Sequence, residues 1–96
     1  MIEFEFEGVL YLWEGDAAWH FVDLPADLSE DIREMMAGTR GGFGSVKVEV
    51  RIGESRWSTS LFPSKKKGCF LLPVKKQVRK AERIQVGDTI TVGVTI

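Results

Sequence analysis

Val46-Lys47-Val48-Glu49-Val50-Arg51-Ile52-Gly53-Glu54 is the stretch that decides the fold. Val46, Val48, Val50 and Ile52 alternate with Lys47, Glu49 and Arg51. A period of two is that of a strand with one face buried and one face in water. Gly53-Glu54 then supplies a tight connection that sends a second strand, Arg56 to Phe62, back along the first. A hairpin needs further strands or a helix to cover its apolar face, and the chain on either side supplies them.

Toward the C-terminus, Pro63 to Gly68 reads as a basic loop and Cys69 to Leu72 as a short strand ending before Pro73. A short helix over about Val74 to Ala81 precedes the turn Gln85 to Asp88. The last strand, Thr89 to Ile96, places Ile90, Val92, Val94 and Ile96 on one face and Thr89, Thr91, Gly93 and Thr95 on the other. Toward the N-terminus, Thr39 to Gly44 is a glycine-rich loop. Before it, Leu28, Ile32, Met35 and Met36 share one helical face. Asp27 is the expected N-cap, with Glu30 at capping-box spacing, and Gly38 the expected C′ residue. A strand over Ala18 to Leu24 ends at Pro25 and follows the turn Glu14-Gly15-Asp16. At the start, Ile2, Phe4 and Phe6 alternate with Glu3, Glu5 and Glu7. Gly8 reads as a change of phase, hence a bulge or sharp bend, before the apolar run Val9 to Trp13.

Two stretches echo each other. Phe21-Val22-Asp23-Leu24-Pro25, Ile32-Arg33, a glycine loop and the strand Val46 to Ile52 form the first. Phe70-Leu71-Leu72-Pro73, Val78-Arg79, Gly87-Asp88 and the strand Thr89 to Ile96 form the second. The expected architecture is therefore mainly β: a small six-stranded split barrel with a pseudo-two-fold axis and two short helices, formed by residues 1–96 as a single domain.

Composition bounds the function classes. The 96 residues carry 13 basic and 14 acidic side chains, for a net charge of −1. The near-balance hides a division. Residues 1–44 hold 10 acidic and 2 basic side chains, a charge of −8, and residues 45–96 hold 4 acidic and 11 basic, a charge of +7. The run Val9 to Trp13 is far short of the roughly 18–20 apolar residues that span a bilayer. Alternating Glu and Phe at the N-terminus fit neither a secretory signal nor a transit peptide. One cysteine, Cys69, forms no intrachain disulfide, and the expected compartment is a reducing cytoplasm.

The segment Leu72-Pro73, Val78-Arg79-Lys80-Ala81, Ile84, Gly87-Asp88 and the final alternating strand resembles the swapped-hairpin element of the AbrB and MazE class. In that class two chains complete a split barrel that commonly binds DNA, whereas here the same chain supplies the other half. A wider set of motifs spans most of the chain. It comprises Trp19-His20-Phe21-Val22 with Leu24-Pro25, Arg40-Gly41-Gly42-Phe43-Gly44-Ser45-Val46, and Trp57 with Ser60-Leu61-Phe62-Pro63. Leu72-Pro73-Val74-Lys75, Val78-Arg79-Lys80-Ala81 and Gly87-Asp88 complete it. This set resembles an uncharacterised bacterial domain-of-unknown-function family of small split barrels. Its members stand alone or are joined to a domain related to bacteriocin-protection proteins. The resemblance implies a fold and carries no reaction, ligand or catalytic residue.

The residues themselves point to binding rather than catalysis. His20, the single histidine, sits between Trp19 and Phe21 and reads as a packing residue in preference to a general base. Cys69 reads as a buried structural cysteine in preference to a thiolate activated by neighbouring lysines. One histidine and one cysteine make no zinc-ligand spacing, and no cofactor is implied. Ser58 and Ser60 share a strand face without a paired base. The loop Arg40 to Gly44 offers backbone amides and a guanidinium to an anion but lacks the P-loop pattern. The basic helix is the strongest feature. At 100° per residue, Lys75, Lys76, Arg79, Lys80 and Arg83 fall within an arc of about 140°, with Val74, Val78 and Ala81 opposite. Lys65, Lys66 and Lys67 lie just upstream. Such a face is a phosphate-binding footprint, or a solvated surface paired with acidic residues elsewhere. The expected function is a non-enzymatic binding domain that engages an anionic or protein partner through this helix. The alternatives are an AbrB-like nucleic-acid-binding regulator and a small-molecule module with a pocket near Arg40, Ser60 and Lys75. A partner domain or a homodimer is open, and no membrane partner is expected.

Overall fold

The computed structural model describes residues 2–13, 19–37 and 44–96. Its elements are β1 (Glu3–Val9), β2 (Tyr11–Leu12), β3 (His20–Asp23), α1 (Ala26–Met36), β4 (Val46–Ile52), β5 (Ser55–Ser64), β6 (Cys69–Pro73), α2 (Lys76–Glu82) and β7 (Thr89–Thr95). Seven antiparallel strands follow the order β1-β7-β4-β5-β6-β3-β2. The two ends of that order are neighbours in the chain, because Leu10 alone separates β1 from β2. The sheet therefore curls until its ends meet in one bent segment, in the manner of a small barrel.

The order reads the same when the two halves of the chain are exchanged. β3 pairs with β6 and β4 with β7, and the pairs Asp23↔Leu71 and Val50↔Val94 lie at the midpoints of these exchanges. β5 pairs first with β4 and then with β6, as the β1–β2 segment pairs first with β7 and then with β3. The internal echo in the sequence is thus a structural duplication, and it extends to the N-terminal strand.

Alternation explains what lies inside. Val46, Val48, Val50 and Ile52 on β4, with Ile90, Val92 and Val94 on β7, are all buried in one core with Leu61, Leu72 and Val78. Each such side chain contributes about 1.5–3 kcal/mol when withdrawn from water. On the outer face of β3 and β6, Phe21, Cys69 and Leu71 form a smaller cluster against Tyr11. α1 is held by Ile32 and by Ser29, both fully buried. Ser29 Oγ accepts the Phe70 backbone N–H at 3.0 Å. On the acidic side, Arg51 of β4 reaches Glu3 and Glu5 of β1 at 3.6 and 3.7 Å. It crosses Gly93 of the intervening β7, where a Cβ would meet the guanidinium at 2.8 Å.

Several expectations are corrected. Among the described residues there are seven strands, because Leu10 divides the first one. Gly8 is neither bulge nor bend: the β1–β7 register runs unbroken from Glu3↔Thr95 to Val9↔Thr89. The inward phase of Phe6 continues to Leu10, which is fully buried. Gly8 is instead a crossing point, since a Cβ there would lie 2.4 Å from Val22 Cγ1. Asp27 does not cap α1: the N-cap is Pro25 with no side-chain bond, and Asp27 Oδ1 accepts from Leu28 N–H inside the first turn. Glu30 pairs with Arg33 instead of closing a capping box. Extended pairing carries β5 through Pro63 and Ser64, which pair with Phe70 and Cys69. α2 starts at Lys76, leaving Val74 in the approach to it, and Ala81 is exposed. The expected turn Glu14-Gly15-Asp16, Gly38 and the loop from Thr39 to Phe43 lie outside the described residues.

Candidate functional site

α2 is fixed from beneath. Val74 and Val78 are buried in the main core and Ile84 packs against it. Ser55 Oγ donates to Glu82 Oε2 at 2.6 Å, tying the helix end to the β4–β5 hairpin. After Glu82 the chain reverses through Arg83, which takes the left-handed conformation at φ 56° and whose N–H returns to the last helical carbonyls. With one face committed to the core, the lysines of α2 are left in solvent, where Lys75, Lys76 and Lys80 are exposed. Among the described residues no carboxylate pairs with Lys75, Lys76, Arg79, Lys80 or Arg83. The acidic stripe of β1 is engaged by Arg51 instead.

The start of α2 forms one wall of a cleft of about 490 Å³. Lys75, Lys76 and Arg79 line it on that side, Trp19 and His20 from the start of β3, and Trp57, Thr59 and Phe62 from β5. Arg79 is positioned by its own neighbours. Its Nε donates to the Val74 carbonyl at 3.1 Å and its Nη1 lies 3.4 Å from His20 Nε2. An arginine offers donors only, so in this contact Nε2 is the acceptor. Among the described residues nothing accepts from Nη2, so that edge of the guanidinium is available to a ligand. Trp57 stands opposite Val50 in the β4–β5 register and packs on the core. Trp19 is half exposed and stacks on Phe21, with ring centroids 5.9 Å apart and planes 8° apart.

Of the expected site residues, the cleft gathers Lys75, Lys76 and Arg79. Lys80 lies further along the exposed side of α2, and Arg83 serves as its C-cap without lining the cleft. Ser60 lines a neighbouring groove with Lys47 and Glu49, which shares Ser58 and Thr59 with the cleft. Arg40 lies outside the described residues. The aromatic members were missed, because Trp19, Trp57 and Phe62 are far from the basic segment in sequence. Only the strand order brings them beside it.

A second polar cluster lies on the outer face of β3. Tyr11 Oη donates to Asp23 Oδ1 at 2.6 Å, and Lys67 Nζ donates to Asp23 Oδ2 at 3.0 Å while sitting 4.1 Å above the Tyr11 ring. Burial, reinforced by the bond to Asp23, pushes the Tyr11 phenol up to about 12. Burial and then Asp23 raise the Cys69 thiol, against the pull of Lys67. A raised thiol pKa disfavours the nucleophilic thiolate, so Cys69 has the character of a core residue. No group of three or more His, Cys, Asp and Glu among the described residues is disposed to hold a metal ion.

Residues 6–94 match the family described as a domain of unknown function, DUF1905. The chain belongs to the DUF1905 family. The match covers every strand and both helices at least in part, so the family and the curled sheet are one unit. No curated protein matches the chain closely enough to lend this DUF1905 domain an activity. No helix among its described residues is long and apolar enough to cross a membrane.

Proposed function

We propose that this DUF1905 domain is a cytoplasmic, non-enzymatic binding module that takes an anionic ligand at the cleft beside α2. One observation carries the reading: Lys75, Lys76 and Arg79 converge on one cleft with no carboxylate paired to them among the described residues. Grouped, unpaired cations raise the local concentration of anions and supply charge-assisted hydrogen bonds. Arg79 adds a fixed direction, since its guanidinium is already held by Val74 and His20. Preorganisation of this kind lowers the entropy lost on binding. His20 has a structural part in this reading, as an acceptor that orients Arg79.

The test exploits the near-neutral net charge of −1, which gives the whole molecule no general affinity for polyanions. Retention on a heparin matrix at about 50 mM salt, with release as salt rises, is the expected behaviour. Replacing Lys75, Lys76 and Arg79 together by glutamine abolishes that retention while leaving the fold intact by circular dichroism. A wild-type domain that flows through unretained refutes the proposal.

A further inference from the structure

The ligand class follows from what shares the cleft with the cations. A site for inorganic phosphate or a carboxylate needs donors and no large aromatic surface, yet this cleft is walled by Trp19, Trp57 and Phe62. Trp19 and Phe62 are 50% and 41% exposed, a costly way to place large apolar rings unless something covers them. Both tryptophans are braced from behind: Trp19 by its stack on Phe21, Trp57 by the core. Braced rings beside fixed cations match the two demands of a nucleotide chain, whose bases stack on aromatic faces and whose phosphates seek positive charge. The positive charge also continues past the cleft, through Lys80 on the exposed side of α2. That continuation suits a polymer better than one small molecule.

Resting on the anionic-ligand reading above, we infer that the cleft binds single-stranded nucleic acid. Bases stack on Trp19 and Trp57, and the backbone phosphates run along Lys75, Lys76 and Arg79 toward Lys80. Recognition is by stacking and charge, so it tolerates sequence. A duplex, whose bases are already stacked on one another, cannot use the tryptophans and binds through charge alone.

The experiment measures fluorescence anisotropy of a labelled oligothymidylate of about 12 nucleotides, within the range a small strand-binding fold occupies. Heparin, the matching duplex and thymidine monophosphate are the competitors. Binding of the oligomer is expected, with quenching of tryptophan fluorescence and a log K against log salt slope of about −2 for three phosphate contacts. Trp19→Leu, which keeps apolar volume at a half-exposed site, is expected to weaken the oligomer about 5- to 150-fold and to leave heparin affinity unchanged. Trp57→Phe, which retains a smaller ring on the core, gives a second and milder reduction.

Equal loss of oligomer and heparin affinity in Trp19→Leu, or duplex binding as tight as the single strand, overturns the inference while the anionic-ligand reading stands. Thymidine monophosphate binding as tightly as the oligomer also overturns it, in favour of a pocket for one nucleotide. Absence of binding to both oligomer and heparin refutes both proposals together.

Discussion

Substituting Gly8 by alanine tests the claim that β1 crosses β3 at van der Waals contact. The added methyl would lie 2.4 Å from Val22 Cγ1 and 3.4 Å from the Asp23 carbonyl oxygen. Carbon atoms rest at about 3.5–4.0 Å, so one of the two strands has to give by an ångström or more. Val22 cannot swing aside, because it is fully buried and β-branched, and β3 is held between β2 and β6. Overpacking of this kind costs about 1–3 kcal/mol, offset in part by the roughly 0.5–1 kcal/mol that alanine gains over glycine in a strand. The expected net loss is about 1–2 kcal/mol, a drop in Tm of roughly 5–15 °C for a domain of this size. Val22→Ala alone removes two methyl carbons and leaves a cavity, at about 2–3 kcal/mol. In the double variant the new methyl enters the space that Val22 vacates, so the two losses fall short of their sum by about 1–2 kcal/mol. Urea denaturation followed by circular dichroism, with unchanged m-values, measures all four proteins. Losses that add to within about 0.5 kcal/mol, or a Gly8→Ala variant as stable as the parent, would show that the crossing is loose.

Three further outcomes are expected. Ser29→Ala removes the buried acceptor of the Phe70 N–H, at about 1–3 kcal/mol; hydrogen exchange at Phe70 accelerating in step with the measured destabilisation checks it, and an unchanged stability counts against it. Tyr11, the single tyrosine, is raised from 10.0 to about 12, so the folded state holds this proton more tightly than the unfolded chain does. Its stabilisation is complete below pH 10 and is lost as pH climbs toward 12. An ultraviolet titration of tyrosinate reads this one group, and Asp23→Asn is expected to lower the midpoint; a wild-type midpoint near 10 would refute the assignment. The buried Cys69 thiol, raised by burial, is expected to react with a disulfide reagent far more slowly in the native protein than in denaturant, and equal rates would contradict its burial.

Much of the scaffold was legible because its signals are local. Val46 to Ile52 carries a period of two and appears as a strand with those bounds, and the strand expected over Thr89 to Ile96 appears as Thr89–Thr95, one residue shorter. The Gly53-Glu54 turn is likewise local: Gly53 takes φ +59° and Ile52 pairs with Ser55 across it. Helical geometry applies to Lys76, Arg79 and Lys80 with Val78 opposite, whereas Lys75 and Arg83 flank α2 as its caps and Ala81 is exposed. What escaped were contacts between residues distant in the chain. Gly8 looked like an interruption because its partner, Val22, belongs to another strand, and no pattern within residues 2–13 encodes that approach. Asp27 has the right chemistry for a cap, yet Pro25 takes the N-cap position and leaves Asp27 two residues too deep, inside the first turn. The cleft was half legible for the same reason. Its charges lie within five residues of one another, and its rings arrive from β3 and β5 through the strand order.

The duplicated strand order also gives the first and last strands a counterpart in the β4–β5 hairpin. Ile2 and Ile96 exchange two backbone hydrogen bonds, at 3.2 and 2.9 Å. Under the exchange of halves that pair corresponds to Ser55 and Ile52, which flank the Gly53-Glu54 turn. A two-residue turn links Ile52 to Ser55, and at the equivalent place hydrogen bonds hold residues 2 and 96 side by side. A circular permutant, opened at Gly53-Glu54 and linked from residue 96 to residue 2, would therefore retain every strand register and keep the α2 cleft intact.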